Sequence, residues 1–167
     1  MFDTIAGLPL HVLVVHATEV IVPAAALAVL LAALWPRFRR WATYAPAALA
    51  VAGLVLVPLS TESGEALEGR VGESELVEVH AHLADGLLPW AAGLALVALA
   101  LLWWSRREVR RDAGTAPRWI AAALVAAALT TATGTAVEAV RVGHSGAAAV
   151  WSATVQSTSP APGDDDD

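Results

Sequence analysis

The sequence predicts an all-α integral membrane protein, a four-helix bundle with both termini outside the cytoplasm. Three observations lead there: an apolar composition, four long apolar stretches, and arginines confined to alternate connections between those stretches. Hydrophobic residues make up 57% of the 167 and charged residues only 16%, which is more apolar than an ordinary soluble domain. That length suits a single domain.

The four stretches predict helices at about 8–35, 42–60, 75–104 and 117–140. The first holds one charge, Glu19, and the second none; the third is clean from Gly86 to Trp104 and the fourth from Trp119 to Val137. A helix needs roughly 20 apolar residues to cross a hydrocarbon core of about 30 Å, and each stretch meets or nearly meets that length. No water is present there to bond the backbone, so each stretch must satisfy its own amides as a helix. The start, MFDTIAGLPLHVLVVH, has no basic region, carries Asp3 and shows no clear cleavage site, so the first helix is expected to stay in the mature protein. Pro23 and Pro89 fall inside helices. Each removes a backbone bond and is expected to kink its helix.

Orientation follows from the arginines, the only basic residues other than histidine. Arg37, Arg39 and Arg40 lie between the first two helices, and Arg106, Arg107, Arg110, Arg111 and Arg118 between the last two. The remaining connection sets Glu62, Glu65, Glu68, Glu73, Glu75 and Glu78 against Arg70 alone. The positive-inside rule makes the arginine connections cytoplasmic and both termini external. Trp35, Trp41, Trp103, Trp104 and Trp119 would then form an aromatic belt at the cytoplasmic interface. In the acidic connection, SGEALEGR reads as a short helix capped by Ser63, and Ser74 reads as the N-cap of an outward extension of the third helix. The bundle domain spans 1–156. The polar tail 157–167, ending in four aspartates, is expected to be disordered.

Several function classes drop out. With no cysteine there is no disulfide framework, thiolate site or covalently attached c-type haem. A net charge of −6 argues against a nucleic-acid partner. There is no HExxH, Walker loop or GxSxG elbow. No catalytic residue is therefore expected, and a binding or structural role ranks ahead of an enzyme.

The chemistry-bearing residues gather at one end. His11, His16, His80, His82 and His144 all fall in the outer half under this topology. Counting along the helices from the tryptophan belt at about 1.5 Å per residue puts His16, Asp85 and Glu138 in one layer near the outer hydrocarbon boundary. Glu19 comes out about one turn deeper on the same count. His16 and Glu19 share a helix face, as do His82 and Asp85, because each pair is three residues apart. A carboxylate inside a membrane helix costs up to about 2.5–3.5 kcal/mol at mid-bilayer and usually finds a partner in the bundle. Glu19 is thus either hydrogen-bonded to His16 or a threonine, or part of a site.

Particular residues also carry a family resemblance. The opening LPLHVLVVHATEV, the SGEAL segment after the second helix, His80 leading into the third and GHSGA after the fourth together resemble a bacterial membrane family called domain of unknown function 2231. The resemblance runs from Leu8 to Trp151 and implies a four-helix membrane protein of the bacterial cell membrane with histidines at its helix ends. Carried over, the family pattern points to His11, His16, His80 and His144, with Gly64 and Glu65 in the acidic connection and Gly143 and Gly146 around the last histidine. The proline usual after the first histidine is Val12 here, and His82 looks like an addition particular to this chain.

Three functions stay open. The first is haem b binding and electron transfer with a membrane redox partner; His16 and His80 would be the axial pair, with His11 or His144 as substitutes. Similarity in plan to b-type membrane cytochromes places it first. The second is binding or transport of zinc, copper or iron through His16, Glu19, His82, Asp85 and Glu138. The third is a structural subunit without cofactor, acting through the bilayer and self-association.

Overall fold

A computed structural model of the chain describes residues 4–5, 7–71, 74–110 and 117–158. Five helices carry the fold: α1 (Leu10–Leu34), α2 (Pro36–Ala42), α3 (Ala45–Val71), α4 (Glu75–Arg110) and α5 (Arg118–Thr158). Ahead of them, β1 (Thr4–Ile5) pairs antiparallel with β2 (Leu8–Pro9). The tight turn between them uses Gly7 at φ 83°, a region open to glycine because it has no Cβ.

Four helices, α1, α3, α4 and α5, are long and apolar enough to cross a membrane. They alternate in direction and close into a ring. In it α1 packs on α3, α3 on α4, α4 on α5 and α5 back on α1, with slighter contact across the α1–α4 diagonal. The chain therefore consists of two helical hairpins, α1–α3 and α4–α5.

The seams between helices are built from small residues. Ala25, Ala26, Ala50, Ala95 and Ala128 are buried around Val29 and Leu94, while Val20, Leu27 and Leu96 stand 67%, 57% and 68% exposed on the outside. In water, so much exposed apolar surface would be costly at about 25 cal/mol per Å². Against lipid tails it costs nothing, and association instead depends on backbones approaching closely through small side chains. Glycines set the closest approaches. A Cβ at Gly53 would lie 3.3 Å from Val22, one at Gly93 3.2 Å from Thr131, and one at Gly134 2.2 Å from the Trp90 ring.

At one end of the bundle sit the arginines. α2 forms a short helix where the sequence predicts only a connection. Pro36 opens it at the first position, where the missing N–H is no loss and φ is already helical. Trp35 stacks on Phe38 at 6.4 Å, Phe38 meets Trp41 in a tilted pair at 5.9 Å, and Trp41 is 81% exposed, as befits a short interfacial helix. Thr43 follows it at φ 45°, a strained setting for a β-branched residue; its hydroxyl donates to the Arg40 carbonyl. Arg106 donates to the Tyr44 hydroxyl and lies over its ring, and Arg107 lies 4.0 Å over the Trp103 ring.

At the other end, two helices run further than their apolar stretches. α3 continues past 60 to Val71 without a break, so SGEALEGR is its last turns and not a separate helix. Ser63 does not cap; its hydroxyl donates to the Ser60 carbonyl at 3.0 Å. α5 continues past 140 to Thr158 through an alanine-rich stretch of high helix propensity. Ser157 and Thr158, expected in the tail, are therefore helical, and 159–167 lie outside the described residues. Ser74 caps α4 as expected, its hydroxyl accepting from the Val77 amide at 3.3 Å. The helices run on through Pro23 and Pro89.

Replacing Gly134 by alanine forces the Trp90 ring or the α4–α5 seam to move. We expect a loss of about 1–3 kcal/mol, the usual size for overpacking, seen as a lower unfolding temperature in detergent. Gly69→Ala, with nothing within 4 Å, is expected to be neutral or slightly stabilising.

Candidate functional site

The end opposite the arginines holds two side-chain clusters of the same design. In the first hairpin His11, in the first turn of α1, reaches α3. Its Nδ1 lies 3.1 Å from the Ser60 carbonyl oxygen and 3.3 Å from Ser63 Oγ. Its ring lies on Gly64, where a Cβ would come within 3.2 Å of Cε1. In the second hairpin His80, near the start of α4, reaches α5. Its Nδ1 lies 3.0 Å from Ser145 Oγ, and its ring lies on Gly146, where a Cβ would come within 3.0 Å of Cε1. Each serine hydroxyl also donates back to the carbonyl three residues earlier, Ser63 to Ser60 at 3.0 Å and Ser145 to Val142 at 2.9 Å.

Local sequence explains the repetition. Ser-Gly-x-Ala occurs twice, at Ser63–Ala66 and Ser145–Ala148, both times near the far end of the second helix of a hairpin. The serine supplies an oxygen on the helix surface, and the glycine beside it leaves room for an imidazole to lie against the backbone. Both histidine rings are half-buried. They come from different hairpins, at the same end of the bundle. Neither Nε2 has a hydrogen-bond partner among the described residues.

The other candidates are placed differently. His16 is exposed, and its Nδ1 donates to its own helix at the Val12 carbonyl, 2.5 Å away. Glu19 is exposed, with Oε1 leaning on α5 at Gly143, 3.7 Å from a Cβ built there. It bonds neither His16 nor a threonine; Thr18 donates to the Val14 carbonyl instead. Glu138 is only 12% exposed and lies 3.6 Å from Arg141. It packs on Gly86 of α4, where a Cβ would come within 3.2 Å. His82 and Asp85 are exposed. His144 is exposed too, and edges an open groove with Leu76, Val79, Leu83 and Arg141. Among the described residues, no three histidines or carboxylates converge in a metal-holding group.

Residue type and spacing point to His11 and His80 but not to Ser145 as a partner, and they suggest a helix cap at Ser63 where the structure has an interhelical contact. In GHSGA the serine and glycine, not the histidine, make the interhelical contact. The repeated Ser-Gly-x-Ala was the signal that could have found both. If the His80–Ser145 bond ties α4 to α5, a cycle of His80→Phe and Ser145→Ala should return a coupling of about 0.5–1.5 kcal/mol in unfolding experiments. His80→Phe with Ser63→Ala, which share no partner, should simply add.

Comparison with known proteins fits this picture of a membrane bundle. A family model described as predicted membrane protein (DUF2231) matches residues 7–159. No curated protein and no solved structure matches the chain.

Proposed function

We propose that this chain, which belongs to the membrane-protein family DUF2231, ligates a haem b or transition-metal centre at the histidine end of its bundle, between the two hairpins. The supporting observation is the pair His11 and His80: two imidazoles from different hairpins at one end of the bundle, each with Nε2 unengaged among the described residues. Haem iron takes one imidazole on each face of the ring, and one donor per hairpin suits that demand. His11 replaces His16 in this pair because His16 is exposed, whereas His11 is half-buried and reaches the second helix of its hairpin. The chemistry such a haem supplies is one-electron transfer with a membrane redox partner.

A bare metal ion such as zinc, copper or iron is the second reading. It is favoured by Arg141, which is engaged with Glu138 and so less available to a haem propionate. Its donors would be the same two imidazoles, with His16, Glu19, His82, Asp85 and Glu138 in reserve.

The topology belongs to the same proposal. Arginine-rich α2 and the α4–α5 connection lie in the cytoplasm of a bacterial cell, and both termini and the imidazole pair lie outside its inner membrane. Reporter fusions after Arg40 and after Arg111 should read cytoplasm, and fusions near Glu68 and after Asp167 should read outside. A cytoplasmic C-terminus would move the site to the other face.

Purified protein in detergent, titrated with haemin, should develop a Soret band. His11→Ala and His80→Ala should each abolish or shift it, while His16→Ala and His82→Ala should leave it nearly unchanged. A colourless protein that stays colourless on haemin addition removes the haem reading. Elemental analysis then decides between a metal ion and a bundle whose histidines serve only as fasteners.

A further inference from the structure

The two histidine clusters are one device made twice. In each hairpin a histidine at the start of the first helix meets a serine and a glycine on the second, in the same order and with closely similar distances. The separations along the chain differ, Ser63 following His11 by 52 residues and Ser145 following His80 by 65. The likeness therefore does not come from identical loop lengths.

Hydrogen-bond chemistry gives the device a direction. A carbonyl oxygen can only accept. His11 Nδ1, 3.1 Å from the Ser60 carbonyl, must therefore carry the proton. Ser63 spends its own proton on that same carbonyl, so toward His11 its oxygen also accepts. Ser145 spends its proton on the Val142 carbonyl, and its oxygen is left to accept from His80 in the same way. A neutral imidazole protonated at Nδ1 has its lone pair at Nε2.

We propose that the Ser60 carbonyl and the Ser145 hydroxyl hold neutral His11 and His80 as the Nδ1–H tautomer, with Ser145 the positioning residue of the second hairpin, so that each hairpin presents an Nε2 lone pair. Only the use of those lone pairs rests on the ligation reading above; the tautomer does not. The arrangement defines a ligand class. Two neutral nitrogen donors suit haem iron, copper or zinc and not magnesium or calcium, which take oxygen. A proton donated from Nδ1 to a fixed acceptor orients a ligating ring and makes it more basic. The two serines are not equal. His11 keeps the Ser60 carbonyl when Ser63 is removed, whereas Ser145 is the single acceptor for His80 among the described residues.

The test is nitrogen-15 NMR of imidazole-labelled full-length protein in nanodiscs, without added metal or haem, at a pH well above the ordinary histidine pKa of about 6.5. Protonated and unprotonated ring nitrogens resonate far apart, so each tautomer is read directly. His11 and His80, assigned by loss of signal in His11→Ala and His80→Ala, should both appear as Nδ1–H, while His82 and His144 should show the mixture of an unconstrained ring. Ser145→Ala should return His80 to that mixture and Ser145→Thr, which restores a hydroxyl, should recover the single form. Ser63→Ala should leave His11 as Nδ1–H. An Nε2–H signal for either ring in the unaltered protein overturns the proposal, whatever colour the protein takes with haemin. An Nδ1–H pair in a protein that binds no haemin upholds the proposal and removes only the haem reading.

Discussion

Inside a bilayer no water competes for a backbone amide, and no hydrophobic effect drives one apolar helix onto another. Everything in this bundle follows from that constraint. The backbone is satisfied within each helix, and among the described residues four helices are long and apolar enough to cross. Their cohesion must then come from close contact, which is why alanines fill the seams and glycines mark the tightest points, at Gly53, Gly93 and Gly134. Many large apolar side chains, Val20, Leu27 and Leu96 among them, face outward, where a soluble domain would meet water.

The same constraint gives the histidine end its character. Where α3 and α5 run past their apolar stretches, small-residue packing gives way to polar fastening. His11 and His80 each bridge a hairpin there, through a serine oxygen and over a glycine. A hydrogen bond of this kind is modest in water, about 0.5–1.5 kcal/mol. Its larger effect is to fix ring orientation, because the histidine is held by a bond on one edge and by the glycine backbone on its side. Fastening and ligation need not compete, since Nδ1 serves the first and Nε2 is left for the second. At the opposite end the arginines lie over Tyr44 and Trp103, keeping their aliphatic stems on apolar surface and their charges near the polar boundary.

How much of the site was legible in the sequence depends on the kind of contact. His11 and His80 stand out because all five histidines fall toward one end of the helices and because their order matches the family pattern. Glu19 and Glu138 stand out as charges within apolar stretches, yet they lean on different glycines, Gly143 and Gly86, and do not meet. Face-sharing along a helix, as for His16 with Glu19, is visible in residue spacing. It does not say whether that face looks into the bundle or away from it, and His16 looks away.

Hydropathy and charge along the chain are enough to give four long apolar helices, their approximate extent, and the gathering of most arginines toward one end and of the histidines toward the other. They suffice because both are properties of the residues alone, and a hydrocarbon slab of fixed thickness reads them directly. Only the tertiary structure decided which histidines are paired and with what. Helix register depends on where small residues allow two backbones to touch, a property of two distant segments at once. Ser145 reaches His80 across 65 residues because α4 and α5 pack in register at Gly86, Gly93 and Gly134, and no single stretch of the chain carries that information.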